Sequence, residues 1–185
     1  LLIPGHDPRG SGLHLFYRRS KAGAWSYVNT IPDLMHCYDV AVHNGQLFAA
    51  GSWTAAYWSW YYSDNNGSSW KPMTFTNENT GGFMVSRVYS MFTFRGKLYA
   101  SGELSVFKSG KFVNTHLMRY DGSGKATVIH MDKANAMFPG HAAKLETDGL
   151  RMERTVEHQN RLIYLGAFVE NGNQWQAVGA FTATE

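Results

Sequence analysis

Three segments of the chain repeat one pattern. D39-V-A-V-H-N-G-Q-L-F-A-A-G51, S90-M-F-T-F-R-G-K-L-Y-A-S-G102 and R154-T-V-E-H-Q-N-R-L-I-Y-L-G166 each run an alternating segment into a two-residue turn, then an apolar segment ending on glycine. The turns are Asn44-Gly45, Arg95-Gly96 and Gln159-Asn160. Asn-Gly is the strongest short hairpin signal, because a type I′ turn needs positive φ at both central residues. The turns recur at intervals of 51 and 64 residues, and the longer interval is read as holding an insertion over residues 133–149. Helical periodicity is confined to K133-A-N-A-M-F138 and A142-A-K-L-E146, split by Pro139-Gly140, and the rest reads as short strands bounded by Gly, Asn, Asp and Ser.

A second strand pair is expected behind each hairpin, with its own polar turn. The clearest such turn is S63-D-N-N-G-S-S-W70. A short side-chain oxygen at Asn65 can accept from the turn's own N–H groups, Gly67 permits positive φ, and Trp70 can anchor the turn to the sheet. Weaker relatives are Y17-R-R-S-K-A-G-A-W25, Y120-D-G-S-G-K-A-T127 and F168-V-E-N-G-N-Q-W175. The positions matching Trp70 are then Trp25, Thr127 and Trp175, at spacings of 45, 57 and 48, near the period of a four-stranded blade.

Together the hairpin repeat and the 63–70 turn resemble Asp-box β-propellers, the group that includes sialidases and sortilin-type receptors. Ser63, Asn65, Gly67, Ser69 and Trp70 match the structural Asp-box S-x-D-x-G-x-T-W, with Asn at the usual Asp and Ser at the usual Thr. The resemblance implies an all-β fold: a β-propeller of four-stranded antiparallel blades in a single domain over residues 1–185. The four repeats run over about 1–35, 36–85, 86–149 and 150–185. So few blades imply part of a larger ring, or a ring completed by further copies or a second chain.

Composition narrows the partners. The net charge of +3 comes from 17 scattered Lys and Arg, which form no basic stripe for a nucleic acid. No apolar stretch is long enough to span a membrane as a helix. The single cysteine, Cys37, lies in the apolar M35-H-C-Y-D-V40 and reads as a buried structural thiol. No nucleotide, flavin, zinc-finger or calcium-loop motif occurs, so no cofactor and no metal is expected. His43 and His158 precede equivalent turns and read as structural.

Ligand-binding candidates come from two sources. S52-W-T-A-A-Y-W-S-W-Y-Y62 concentrates aromatics, with Trp58, Trp60 and Tyr62 on one face of a strand and Tyr57, Ser59 and Tyr61 on the other. Core packing is one reading of this run. The other is a surface where Trp53, Tyr57 and Trp58 stack on a sugar or a protein. The loop over residues 4–10 leading into a strand adds His6 and Arg9, and Arg87 is added as standing at or just before a strand start. The sialidase resemblance implies three arginines on a carboxylate, and Arg9, Arg87 and Arg154 sit near strand starts, but the Arg-Ile-Pro motif of that family is missing. Expected function is therefore non-enzymatic recognition of carbohydrate or protein, extracellular or on a cell or virion surface. The alternative is a sialidase-like glycoside hydrolase or lyase, its catalytic residues unassigned and partly outside this chain.

Overall fold

A computed structural model describes residues 2–4, 16–28, 31, 34–53, 59–76, 83–108, 111–129, 150–170 and 174–183. Every regular element among them is a β-strand. In chain order these are β1 (Leu2–Pro4), β2 (Phe16–Arg19), β3 (Trp25–Val28), β4 (Leu34–His43), β5 (Gln46–Trp53), β6 (Trp60–Ser63), β7 (Lys71–Pro72) and β8 (Thr74–Thr76). There follow β9 (Phe83–Phe94), β10 (Lys97–Lys108), β11 (Lys111–Gly122), β12 (Lys125–Ile129), β13 (Leu150–His158), β14 (Arg161–Glu170) and β15 (Gln174–Ala183). The segment 133–149, read as an insertion with helical periodicity, lies outside the described residues.

Neighbours in sequence pair antiparallel. β1–β2–β3 and β13–β14–β15 form three-stranded sheets, while β4–β5–β6–β7 and β9–β10–β11–β12 form two meanders that merge into one nine-stranded sheet. Two links make the merger. Ser52 of β5 pairs with Arg87 of β9, and β8 pairs parallel with β12. Residues 71–76 therefore lean on β6 with their first half and on β12 with their second. Met73 N donates to Trp60 O at 2.9 Å and Thr74 N to Gly124 O at 2.8 Å. This bridge nearly closes the sheet into a barrel-like shape.

The three sequence repeats share one backbone form. Asn44, Arg95, Gln159 and Asn160 all have positive φ, as do Gly45 and Gly96, the geometry a type I′ turn requires. Further back each hairpin carries the same one-residue bulge. Cys37 pairs with Gly51 and Asp39 with Ala50, leaving Tyr38 unpaired. Tyr89 is skipped between Val88–Gly102 and Ser90–Ser101, and Glu153 between Met152–Gly166 and Arg154–Leu165. The glycine closing the first repeat has a steric cause: a Cβ on Gly51 would lie 1.7 Å from the His36 carbonyl oxygen.

Apolar residues pack on both faces of β5 and β6. One cluster joins Phe48, Ala50, Trp60, Val88, Leu98 and Met118; the other joins Ile31, Leu34, Cys37, Ala49, Tyr61 and Trp70. Trp60 and Tyr61 are both fully buried, and Trp60 donates its indole N–H to Met91 Sδ at 3.1 Å. The end of the aromatic run is thus core on both faces, where each large ring removes enough apolar surface to contribute a few kcal/mol, ~2–3. Polar groups tie the two meanders across this core. The Asp39 carboxylate accepts from Met91 N at 2.7 Å and from Val40 N at 2.9 Å. Tyr120 Oη lies 2.7 Å from Gln46 Oε1.

Turn 63–70 closes β6 onto β7 by its own side chains. Ser63 Oγ accepts from Gly67 N at 2.9 Å and donates to Asn65 Oδ1 at 2.9 Å. Asn65 Oδ1 also accepts from Ser69 N at 2.9 Å, and Asn65 Nδ2 donates to Ser69 Oγ at 2.8 Å. Gly67 has φ +82° and Trp70 is buried. Two of the related turns differ from expectation. Trp25, aligned with Trp70, is 47% exposed beneath the Arg19 guanidinium. Residues 168–175 join β14 to β15, the second turn of their unit, whereas 63–70 is the third turn of its own.

Candidate functional site

The shared bulges place unusual side chains where β4 and β9 come together. An extra residue in one strand breaks the ladder locally and re-aims its side chain. Here the extra residues of the first two repeats, Tyr38 and Tyr89, meet: their ring centroids lie 5.3 Å apart at 34°, a favourable aromatic geometry. The His36 ring lies 6.0 Å from that of Tyr38. Tyr38 Oη donates to the buried Ser52 Oγ at 3.4 Å, and Arg87 Nη1 donates to Tyr89 Oη at 3.4 Å. Tyr38 keeps 40% of its surface exposed, and Arg87 is exposed beside it.

The local chain dictates this arrangement. Asp39 follows the bulge and holds β4 to β9 through Met91 N, so the two tyrosines are carried by strands locked in register. Cys37 precedes the bulge on the inner face. Burial first, and the Asp39 charge second, push its thiol up to about 12, so it stays protonated and unreactive at neutral pH. The result is a half-exposed pair of rings flanked by a guanidinium, an imidazole and hydroxyls. Such a surface can stack on the flat face of a ring and hydrogen-bond its substituents.

Register gives the third repeat equivalent backbone positions. Arg151 pairs with Ala167 one step from the bulge, as His36 pairs with Ser52 and Arg87 with Glu103. Glu153 occupies the bulge position of Tyr38 and Tyr89, and β13 lies beside β9. Arg154, one of the three arginines singled out from sequence, matches Asp39 and Ser90; the repeat position of Arg87 belongs to Arg151.

Of the sequence candidates, Arg87 falls in this patch. Trp53 ends β5, paired with Leu34, one residue beyond Ser52. His6, Arg9, Tyr57 and Trp58 lie outside the described residues. Sequence reasoning missed His36, Tyr38 and Tyr89, although aligning the repeats three residues further upstream sets H36-C-Y, R87-V-Y and R151-M-E in register. His43 and His158 do stand immediately before equivalent turns. His43 packs edge-on to Phe48 and Tyr120, at 6.4 and 6.2 Å. Among the described residues no group of three or more His, Cys, Asp or Glu could hold a metal ion, and no helix is long and apolar enough to cross a membrane.

Compared with protein-family models and with curated proteins, the chain matches none.

Proposed function

We propose that the chain is a recognition module of β-propeller type that binds a carbohydrate at the Tyr38–Tyr89 patch without altering it. The meanders β4–β7 and β9–β12 would be two of its blades, with β1–β3 and β13–β15 as parts of others. Supporting this, β1 lies beside β4, β4 beside β9 and β9 beside β13, as the first strands of successive blades do around a propeller axis. On this reading turn 63–70 is an Asp-box with Asn65 in place of Asp, a rim feature that shapes a blade.

The observation that carries the binding reading is the tyrosine pair beside Arg87 and His36. A pyranose ring can stack on the exposed face of Tyr38, while Arg87 and the phenol hydroxyls hold its oxygens. A glycan array followed by NMR titration of the best ligand tests it. Tyr38→Ala and Arg87→Ala should each weaken binding about tenfold, ~1.4 kcal/mol, with melting transitions preserved. Retention of no glycan, or wild-type affinity in both variants, would sink the reading.

A sialidase-like hydrolase is the second reading, favoured by one observation: the register that places Glu153 at the bulge position of two tyrosines. It predicts turnover of a chromogenic acidic-sugar glycoside that Glu153→Gln abolishes while binding persists. Wild-type protein that binds the glycoside without releasing the chromophore rules it out.

A further inference from the structure

A second polar cleft opens at the other end of β4 and β9, roughly 20 Å along the strand from the tyrosine pair at about 3.3 Å per residue. Its volume is about 400 Å³, and it is lined by His43, Asn44, Gly96, Lys97, Arg119 and Asp121, with Tyr120 and Gly122 completing the wall. Two hairpin turns and the β11–β12 turn converge there, so residues from both meanders form one concavity. A Cβ at Gly96 or Gly122 would meet nothing within 4 Å, so the mouth is open on those sides.

The charges in and around this cleft are unequally committed. Arg95, next to it, is held away: its N–H donates to Glu157 Oε2 at 3.2 Å and its guanidinium to Asn160 O at 3.4 Å. Asp121, the one acid in the wall, is engaged at both oxygens. One takes Arg119 Nε at 2.8 Å, and the other accepts from the Thr127 hydroxyl. Arg119 uses Nε for that pair, leaving the two Nη groups at the end of the fork. Lys97 is exposed and has no acidic partner among the described residues. The cleft thus offers an ammonium, the outer edge of a guanidinium and the Asn44 side chain, whose Nδ2 lies 3.1 Å from His43 Nε2, beside a carboxylate that already takes one hydrogen bond at each oxygen.

We infer that this cleft is a binding site for a small oxyanion-bearing ligand, a phosphate or sulfate monoester of a polyol, with Lys97 and Arg119 as its principal contacts. A guanidinium edge and an ammonium together match a tetrahedral oxyanion, and the volume suits an ester of one sugar ring. Asp121 positions Arg119 rather than touching the ligand. The site does not depend on the carbohydrate reading of the tyrosine patch, since it shares no residue with it.

The test is an NMR titration of the full chain at constant ionic strength with glucose 6-phosphate, glucose 6-sulfate, glucose and sodium chloride. Saturable shifts at Lys97 and Arg119 with one or both esters, absent with glucose and chloride, are expected. The two ester arms tell which oxyanion is preferred. Lys97→Ala should weaken ester binding at least fivefold and Lys97→Glu should abolish it; Lys97→Arg should retain it, and Arg87→Ala should leave it unchanged. Shifts that track chloride, or ester binding unaltered in Lys97→Glu, would overturn the proposal. Loss in Lys97→Arg equal to that in Lys97→Ala would remove Lys97 as a charge contact and overturn it as well.

Discussion

Residues 63–70, closing β6 onto β7, and residues 122–124, closing β11 onto β12, occupy the same place in two consecutive meanders and are held by different means. The first turn carries a side-chain network centred on Ser63 and Asn65 with Trp70 buried behind it. The second relies on backbone conformation: Gly122, Ser123 and Gly124 all have positive φ, and the Asp121 contacts lie beside the turn. The difference has a packing cause. A Cβ on Gly124 would come within 2.5 Å of the Tyr62 ring, so the second turn must stay thin where the first meander leans on it. The first turn is built instead from side chains, around a buried Gly67. Equal topology therefore does not require equal turn chemistry.

The largest effect should come from breaking what both meanders share. Gly51→Ala drives a Cβ into the His36 carbonyl and should cost more than about 4 kcal/mol or prevent folding. Gly45→Ala, at φ +77° with open space around it, should cost about 1 kcal/mol. Urea denaturation of both measures the gap, and equal losses would mean that the bulge tolerates a side chain.

Next, Ser63→Ala removes the hydroxyl shared by Gly67 N and Asn65 and should cost about 2 kcal/mol. Thr127→Ala, which loses one exposed contact to Asp121, should cost at most about 1 kcal/mol. Denaturation midpoints in the reverse order would show that the second turn depends on Asp121 after all. Asn65→Asp keeps the acceptor for Ser69 N and should stay within about 0.5 kcal/mol of the parent.

Cys37 supplies a pH-dependent comparison of folded and unfolded chains. Its thiol is raised from 9.0 to about 12 on folding, so the unfolded chain loses the proton first. The stabilisation is complete below about 9 and is lost as pH rises from about 9 to about 12. Denaturation at pH 8 and pH 10.5 should show the folded state weakening, and Cys37→Ser should flatten that slope. A thiol reagent at pH 8 should label the native chain far more slowly than the urea-unfolded one. The smallest effect belongs to Lys71→Ala. Its 2.9 Å pair with Asp64 lowers the Asp64 carboxyl, but both groups face solvent and the melting temperature should not move measurably.

Much of the local structure was readable from the residue order. Asn44-Gly45 and Arg95-Gly96 announce their hairpins because few residue pairs tolerate two consecutive positive φ angles. The β6 alternation follows from the two-residue period of a strand, so Trp60 and Tyr62 share a face opposite Tyr61. The candidate site was less accessible. Arg87 was expected at or just before a strand start but lies inside β9 (Phe83–Phe94), and Tyr38 and Tyr89 are ordinary strand residues until a bulge turns both toward the same gap. That meeting depends on Asp39 reaching Met91, 52 residues away, which no local pattern encodes. Trp25 shows the same limit from the other side: the sequence aligns it with Trp70, yet one ring is 47% exposed and the other buried.

By itself the sequence determined that the chain is built of repeated β-hairpins, where their turns fall, and that a Ser-Asn-Gly-Ser-Trp turn closes one of them. These are short-range consequences of backbone sterics and side-chain period. Tertiary structure alone decided that residues 71–76 bridge β6 to β12, that the two bulge tyrosines meet beside Arg87, and that Lys97 and Arg119 line one cleft. Those outcomes rest on contacts between residues far apart in the chain, whose partners are chosen by how whole sheets pack.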